Sequence, residues 1–152
     1  MSVKKIQLKI VTPERLVLEE LVDQVTLPTT EGEITVLPGH VPLVAGLKSG
    51  DIGAVNEGEH IPMAFVGGFM EVRQNNEGNT LVAILADFAE HVSELDDHAI
   101  ERARARSQEL KKELANKEIA EFKQFESELA KSLTRVKVAD KWRTRPYSNK
   151  YV

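Results

Sequence analysis

The chain has 152 residues, of which 41% are hydrophobic and 29% charged, a composition typical of one packed domain or two small ones. It contains no cysteine, which excludes disulfide bonds, cysteine-ligated zinc and thiol catalysis. Its longest wholly apolar run, Leu81–Ala86, is far shorter than the roughly 20 residues of a membrane-spanning helix, so we expect no direct membrane insertion.

The net charge of −4 is unevenly distributed along the chain. Residues 1–97 hold 6 basic and 16 acidic side chains, whereas residues 98–152 hold 14 basic and 8 acidic ones. An acidic half followed by a basic half is typical of proteins that bind nucleic acid, a membrane surface or an acidic protein partner.

The first part of the chain, up to about Asp87, alternates short apolar runs with turn residues at a spacing of roughly 8–12 residues, which is typical of a sandwich or barrel. Nine runs follow this pattern: Ile6–Ile10, Leu16–Leu18, Val25–Leu27, Ile34–Val36, Val41–Val44, Ile52–Val55, Ala64–Val66, Phe69–Val72 and Leu81–Leu85. The pair Gly67-Gly68 indicates a bulge or a close backbone approach. We predict an acidic antiparallel β-sandwich or barrel over residues 1–89.

The second part of the chain has neither glycine nor proline between His91 and Arg145, and its apolar residues change to helical spacing. Two amphipathic stripes result, the first with Ile100, Ala103, Leu110 and Leu114, the second with Ile119, Phe122, Leu129, Leu133 and Val136. Asp96 is the expected N-cap of the first helix, and Asn116-Lys117 the expected connection. The pattern predicts an antiparallel two-helix hairpin over residues 90–139, giving an α+β fold in two parts. The basic, aromatic tail over residues 140–152 is expected to be mobile until a partner binds it.

Motifs for catalysis or metal binding are absent from the sequence. It contains no GxxxxGK[ST] phosphate loop, no GxGxxG turn and no GxSxG nucleophile elbow. His91 and His98, with Glu94 between them, lack the third and fourth ligands that zinc requires. His40 and His60 have no serine or aspartate at a recognisable spacing. We therefore predict neither a metal site nor an independent enzyme.

The segment Glu31–Leu43, EGEITVLPGHVPL, runs a β-strand pattern straight into proline, glycine and histidine. In this respect the chain resembles the epsilon subunits of bacterial F-type ATP synthases. Four further stretches support the resemblance: Val66–Val72 (VGGFMEV), Leu81–Asp87 (LVAILAD), Glu94–Asp96 (ELD) and Ser127–Lys131 (SELAK). The resemblance extends from about residue 4 to about residue 139.

The resemblance implies a non-catalytic subunit of the central stalk, which turns with the rotor and helps couple proton translocation to ATP synthesis. Such a subunit is peripheral, in the F1 sector on the cytoplasmic face of the bacterial inner membrane. Its implied partners are the gamma subunit and the membrane rotor ring of c subunits. The residues expected to contact them are Glu31, Gly32, Glu33, Pro38, Gly39 and His40. Proline and glycine would fix a rigid turn at a sheet edge, and the carboxylates suit basic residues on the ring loops.

The resemblance also implies a regulatory hairpin, which either folds down on the sandwich or extends along gamma and inhibits ATP hydrolysis. In the extended position it would contact the alpha and beta catalytic subunits. The basic residues expected to contact acidic segments of the beta subunits are Arg102, Arg104, Arg106, Lys131, Arg135 and Lys137.

Some members of the family bind ATP in the folded-down hairpin through an [I/L]DxxRA motif. Here the motif keeps Leu95 and Asp96 but has Ala99 in place of its arginine and Ile100 in place of its alanine. The residues at the expected ATP-binding positions are Glu90, Asp96, Arg106, Lys131 and Arg135. Loss of one charge-assisted contact costs about 1.5–3 kcal/mol, so we expect ATP binding to be weak or absent, with no other cofactor.

Two alternatives come from other functional classes. A nucleic-acid-binding module would contact phosphate through basic residues, here Arg102, Arg104, Arg106, Lys111 and Lys112. Acidic residues interleave with them as on a solvated helix face, at Glu101, Glu109 and Glu113. Because the acidic sandwich would also repel phosphate, we predict no nucleic-acid partner. A small free-standing enzyme is disfavoured further, since no set of acid, base and nucleophile can be assembled.

Overall fold

The computed structural model describes residues 4–114 and 119–148, without the side chains of residues 114 and 119–123. Within these ranges it contains two five-stranded sheets and two helices. The first sheet has the strand order β2 (Leu16–Val22), β1 (Ile6–Val11), β9 (Thr80–Leu85), β8 (Phe69–Gln74) and β5 (Leu43–Gly46). The second has the order β10 (Phe88–His91), β7 (Glu59–Val66), β6 (Gly50–Asn56), β3 (Gln24–Thr29) and β4 (Gly32–Val36).

The two sheets enclose the main apolar core. Alternate residues of each strand point inward, so that Ile6, Leu8 and Ile10 of β1 are fully buried while the residues between them are partly exposed. The strand pairs are antiparallel except for β1 and β9, which run parallel. The prediction of a β-sandwich followed by two helices is confirmed.

Gly68 marks the close backbone approach that the glycine pair predicts. Its φ is +105°, and a Cβ atom on it would lie 1.8 Å from the backbone oxygen of Leu85. No side chain fits there, because β8 begins directly against the end of β9. The prediction for this glycine is confirmed.

The interrupted segment is a connection between the two sheets. It leaves β4 at the edge of the second sheet and enters β5 at the edge of the first. The turn is closed by a hydrogen bond from the His40 N–H to the Leu37 carbonyl, 3.0 Å. The Gly39 N–H donates to the Thr80 hydroxyl at 2.8 Å, which fixes the turn to β9. The predicted turn at a sheet edge is thus present, and it links the two sheets.

The sandwich ends two residues later than the predicted boundary at residue 89. Strand β10 pairs with β7 up to the pair His91 and Met63. Four residues are too few for an alternating pattern to be recognised, which is why the strand is not apparent from the sequence. A single 3₁₀ turn, Val92–Glu94, then leads to the hairpin.

Helix α1 (Asp97–Leu114) begins as expected, because the Asp96 carboxylate accepts a hydrogen bond from the Ala99 N–H at 2.6 Å. Its predicted stripe is buried at the described positions, namely Ile100, Ala103 and Leu110. The predicted connection at Asn116-Lys117 lies outside the described residues. Neither described helix is long and apolar enough to cross a membrane.

Helix α2 (Ile119–Trp142) differs from its predicted stripe. Leu133 is 40% exposed, whereas Val138, Ala139 and Trp142 are buried against the outer face of β7. The predicted stripe is wrong because α2 packs against both α1 and the sandwich. A single 3.6-residue period describes only one buried face.

The expected tail is partly folded. Helix α2 continues past Asp140 to Trp142, which is only 5% exposed, and Tyr147 packs against the same apolar cluster. Lys141, Trp142, Tyr147 and Ser148 thus contact the sandwich, which the sequence does not lead us to expect. Residues 149–152 lie outside the description.

Candidate functional site

The residues predicted to contact the rotor fall into two groups at opposite ends of β4. Glu31 lies in the turn before this strand, and Gly32 and Glu33 are its first two residues. The Pro38–His40 turn lies beyond the other end. Only residues 34–36 of β4 and Leu37 separate the groups, so that Glu33 and Pro38 are at most roughly 16 Å apart at about 3.3 Å per residue. The two groups are separate sites, although one protein interface of standard size is large enough to cover both.

A row of apolar side chains lies on the outer face of the first sheet, at the same end as Glu31. We call it the apolar row: Leu16, Val11, Leu85 and Phe69, which are paired across β2, β1, β9 and β8. Leu16, Leu85 and Phe69 are 50%, 52% and 57% exposed. Exposed apolar residues in contiguous strands are typical of a protein interface.

No residue of the apolar row is among the contact residues predicted from the sequence, although the pattern of β9 indicates that its outer face is apolar. The strand reads TLVAIL, so that both of its faces are apolar. Strands of this kind are covered on both sides. In this structure the inner face of β9 packs in the core, while the outer face is partly exposed at Leu85.

The opposite end of the sandwich carries His40. Its Nδ1 atom is 2.7 Å from the Val41 carbonyl, and its own carbonyl accepts a hydrogen bond from the Gln74 amide at 2.9 Å. Leu37 and Val41 beside it are 53% and 70% exposed. The surface here is apolar around a half-buried histidine.

The two helices and β10 form a groove with a cavity volume of about 620 Å³. It brings together four of the five residues at the family's ATP-binding positions, which are Glu90, Arg106, Lys131 and Arg135. Ala99 lines the groove where the motif has its arginine. Asp96 instead caps α1.

Two of the basic residues of the groove, Arg106 and Arg135, are already paired with carboxylates. Arg135 binds Glu90 through two hydrogen bonds, from Nε at 3.1 Å and from Nη2 at 2.7 Å. Its guanidinium also lies 4.6 Å from the centre of the Phe88 ring. Arg106 donates to Glu128 in the same bidentate manner, at 2.7 and 3.2 Å, and pairs with Glu109 at 3.1 Å.

Glu128 is a charged residue of the groove whose partner the sequence does not reveal. Hydrogen bonds from Arg106 lower the pKa of the Glu128 carboxyl, and those to Glu128 and Glu109 raise the pKa of Arg106. A phosphate group entering here must displace carboxylates from both arginines. The groove is therefore poorly suited to a polyphosphate.

The other basic residues of the hairpin differ in their surroundings. Arg104 pairs with Asp140 at 3.6 Å, and the Lys131 ammonium lies 5.7 Å from the Phe88 ring centre. Arg102 and Lys137 are exposed. Half of the six predicted regulatory cations, namely Arg104, Arg106 and Arg135, thus hold ion pairs with acidic residues of the chain itself.

His91 is a structural residue at the junction between sandwich and hairpin. Its Nδ1 atom accepts a hydrogen bond from the Ser93 N–H at 3.1 Å and so caps the 3₁₀ turn. The ring is buried at this junction. Across residues 4–114 and 119–148, no group of three or more potential ligands is arranged to hold a metal ion.

A family model described as ATP synthase, Delta/Epsilon chain, beta-sandwich domain matches residues 5–92. The chain belongs to this family. Over 140 residues it is 39% identical to the ATP synthase epsilon chain of Herpetosiphon aurantiacus, covering 92% of this chain and 98% of the relative. It is 38% identical over 136 residues to that of Desulforamulus reducens, covering 88% and 96%. The match thus includes the hairpin as well as the sandwich.

A solved structure from the family has a related fold. A chain in the cryo-EM structure of the Euglena gracilis mitochondrial ATP synthase, which includes OSCP, F1 and the c-ring, superimposes with a TM-score of 0.56 at 30% identity. The alignment covers 83% of this chain and 76% of that one. The resemblance to the epsilon family that the sequence motifs indicate is therefore confirmed.

Proposed function

We propose that this chain is the epsilon subunit of an ATP synthase central stalk and couples proton translocation to ATP synthesis without catalysing either step. The observation that carries the proposal is the match to epsilon chains over nearly the whole length of both proteins. The subunit is peripheral, assembled in the F1 sector on the cytoplasmic face of a bacterial inner membrane.

The sandwich supplies the contacts with the rotor. Glu31 and Glu33 are exposed carboxylates at one end, which favours basic loops of the c-ring as their partner. The apolar row beside them is suited to the gamma subunit, because interface cores are apolar and depleted in charge. Pro38, Gly39 and His40, at the other end of β4, extend the gamma-facing surface.

The hairpin regulates ATP hydrolysis by moving between the sandwich and the catalytic alpha and beta subunits. Support comes from the ion pairs of the folded-down arrangement, in which Glu90, Glu128 and Asp140 hold Arg135, Arg106 and Arg104. Extension of the hairpin breaks the pair with Glu90 and makes Arg135 available to acidic segments of the catalytic subunits.

A reconstituted enzyme tests both parts of the proposal. A chain truncated after His91 keeps β10, should still co-purify with gamma, and should raise ATP hydrolysis relative to the full chain. A chain with Lys111→Ala and Lys112→Ala removes two exposed cations outside the predicted set and should hydrolyse ATP as the unmodified chain does. Unchanged hydrolysis with the truncated chain would show that the hairpin does not inhibit. Failure of the full chain to co-purify with gamma would contradict the stalk assignment.

ATP is not expected to act as a tight regulatory ligand of this chain. Ala99 removes one cation, and Glu90 and Glu128 neutralise two others. Calorimetric titration of the full chain should therefore detect weak binding or none. A dissociation constant below about 0.1 mM, equivalent to about 5.5 kcal/mol, would contradict this expectation.

A further inference from the structure

The end of α2 is fixed to the outer face of the second sheet by one carboxylate. Asp51 of β6 accepts a hydrogen bond from the Trp142 indole N–H at 3.1 Å and pairs with the Lys141 ammonium at 2.8 and 3.0 Å. The Asp51 side chain is only 19% exposed, which limits screening of the ion pair by solvent. Asp51 thus holds two consecutive side chains of the helix end.

The residues after the helix fold back over Trp142. Tyr147 lies edge-on to the Trp142 ring at 6.4 Å and to the His91 ring at 5.9 Å. The Ser148 N–H donates to the His60 carbonyl at 2.8 Å, which ties the segment to the start of β7. The His60 ring itself is 5.5 Å from that of Trp142. Trp142 is therefore enclosed by residues from both the strand and the tail.

This segment contributes the largest side chain to the contact between hairpin and sandwich. The apolar cluster at that contact otherwise consists of smaller residues: Ala64, Val92, Leu95, Ile100, Val138 and Ala139. Burial of a tryptophan contributes more apolar area than any of these. Without Trp142 and Tyr147, the part of this apolar cluster that α2 supplies is reduced to Val138 and Ala139.

We propose that residues 141–148 form a C-terminal latch that holds the hairpin folded down on the sandwich. The hairpin is released only when the latch opens. Because carboxylates of the chain itself already hold Arg106 and Arg135 in the groove, this closed arrangement does not depend on a bound nucleotide. Closure of the latch is a property of the isolated chain. Only its effect on ATP hydrolysis in the enzyme rests on the proposed function.

Trp142 is the only tryptophan of the sequence, so its emission reports directly on the latch. In the full chain, Asp51→Ala and Tyr147→Ala should each shift the emission to longer wavelength and increase quenching by acrylamide. Arg143→Ala is the matched control, because Arg143 is an exposed cation of the same segment that pairs with Asp140 at 3.0 Å and not with a described residue of the sandwich. It should leave emission and quenching unchanged. If both latch variants show the same emission and quenching as the unmodified chain, the proposal is overturned.

Hydrogen exchange separates a latch from a local contact. In Tyr147→Ala, amides throughout α1 and α2 should exchange faster while those of β1 and β9 keep their protection. Retained sandwich protection also shows that the variant is folded. Faster exchange limited to the last turn of α2 would contradict the latch, because opening the tail would then leave the hairpin docked.

The assembled enzyme distinguishes failure of the latch from failure of the regulatory function. If both are correct, Tyr147→Ala lowers ATP hydrolysis, because a released hairpin inhibits more often. In the alternative outcome, emission and exchange change in the latch variants, but ATP hydrolysis is the same with those variants, with the unmodified chain and with the chain truncated after His91. That result would support the latch and overturn the inhibitory function.

Discussion

The sandwich and the hairpin are held together by different kinds of interaction. Twenty buried apolar residues form the described sandwich core, whereas seven form the described cluster between hairpin and sandwich. The largest of these seven is Trp142, and ion pairs add to the contact around the cluster. A closely packed core deforms little, while a contact of few apolar residues and partly screened charges opens at low cost. The difference suits a rigid element that transmits torque and a second element that detaches.

Two fully buried leucines provide the largest test of this difference. Leu8 lies in the sandwich core and Leu110 lies between the helices, both with no exposed surface. Each change to alanine should remove about 2–5 kcal/mol from the element that contains it. Leu8→Ala should lower the denaturation midpoint of the β signal, and Leu110→Ala should lower the helical signal alone. An equal loss of sandwich stability in both variants would mean that the two elements unfold as one.

The ion pair between Glu90 and Arg135 is the next test, because it joins β10 to α2. Their side chains are 19% and 31% exposed. Glu90→Gln should weaken hairpin docking by about 1–2 kcal/mol, measured as faster amide exchange in α2. Glu109→Gln is the control, since Glu109 is 59% exposed and pairs with Arg106 within α1. Equal exchange in the two variants would show that the Glu90 pair does not hold the hairpin.

A smaller effect is expected from pH at the junction. Burial lowers the pKa of the His91 imidazole, and the Glu94 carboxylate and a backbone hydrogen bond with Ser148 oppose this shift. The unfolded state therefore binds the proton more readily, so the stability from neutral His91 is complete above about pH 6.5 and is lost as the pH falls below it. Tyr147 packs on this ring, so Trp142 emission should shift to longer wavelength on acidification. His91→Asn retains a capping side chain and should reduce this pH dependence, whereas His98→Asn should not.

The smallest effect on stability is expected at the rotor-facing end. Glu33 is exposed, so Glu33→Lys should change the free energy of unfolding by no more than about 0.5 kcal/mol. If the proposed contact is correct, Glu33→Lys places a cation against basic ring loops and should nevertheless weaken retention of the subunit in the complete enzyme. Glu77→Lys makes the same charge change at the other end of the sandwich and should leave retention intact. A large fall in melting temperature for Glu33→Lys would argue against a contact role.

The sequence predicts the sandwich better than the hairpin contact, for a physical reason. Nine strands are predicted from apolar runs bounded by turn residues, and these patterns are local in the sequence. The pair formed by Arg106 and Glu128 spans 22 residues and that of Trp142 with Asp51 spans 91, so neither leaves a local pattern. Family motifs place Arg106 in the groove but do not reveal that a carboxylate occupies it.

Native-state hydrogen exchange of the full chain tests most directly whether the hairpin detaches from an intact sandwich. The account predicts two opening free energies, a lower one shared by the amides of α1 and α2 and a higher one shared by β1, β8 and β9. Exchange of helices and strands at a single common free energy would contradict it.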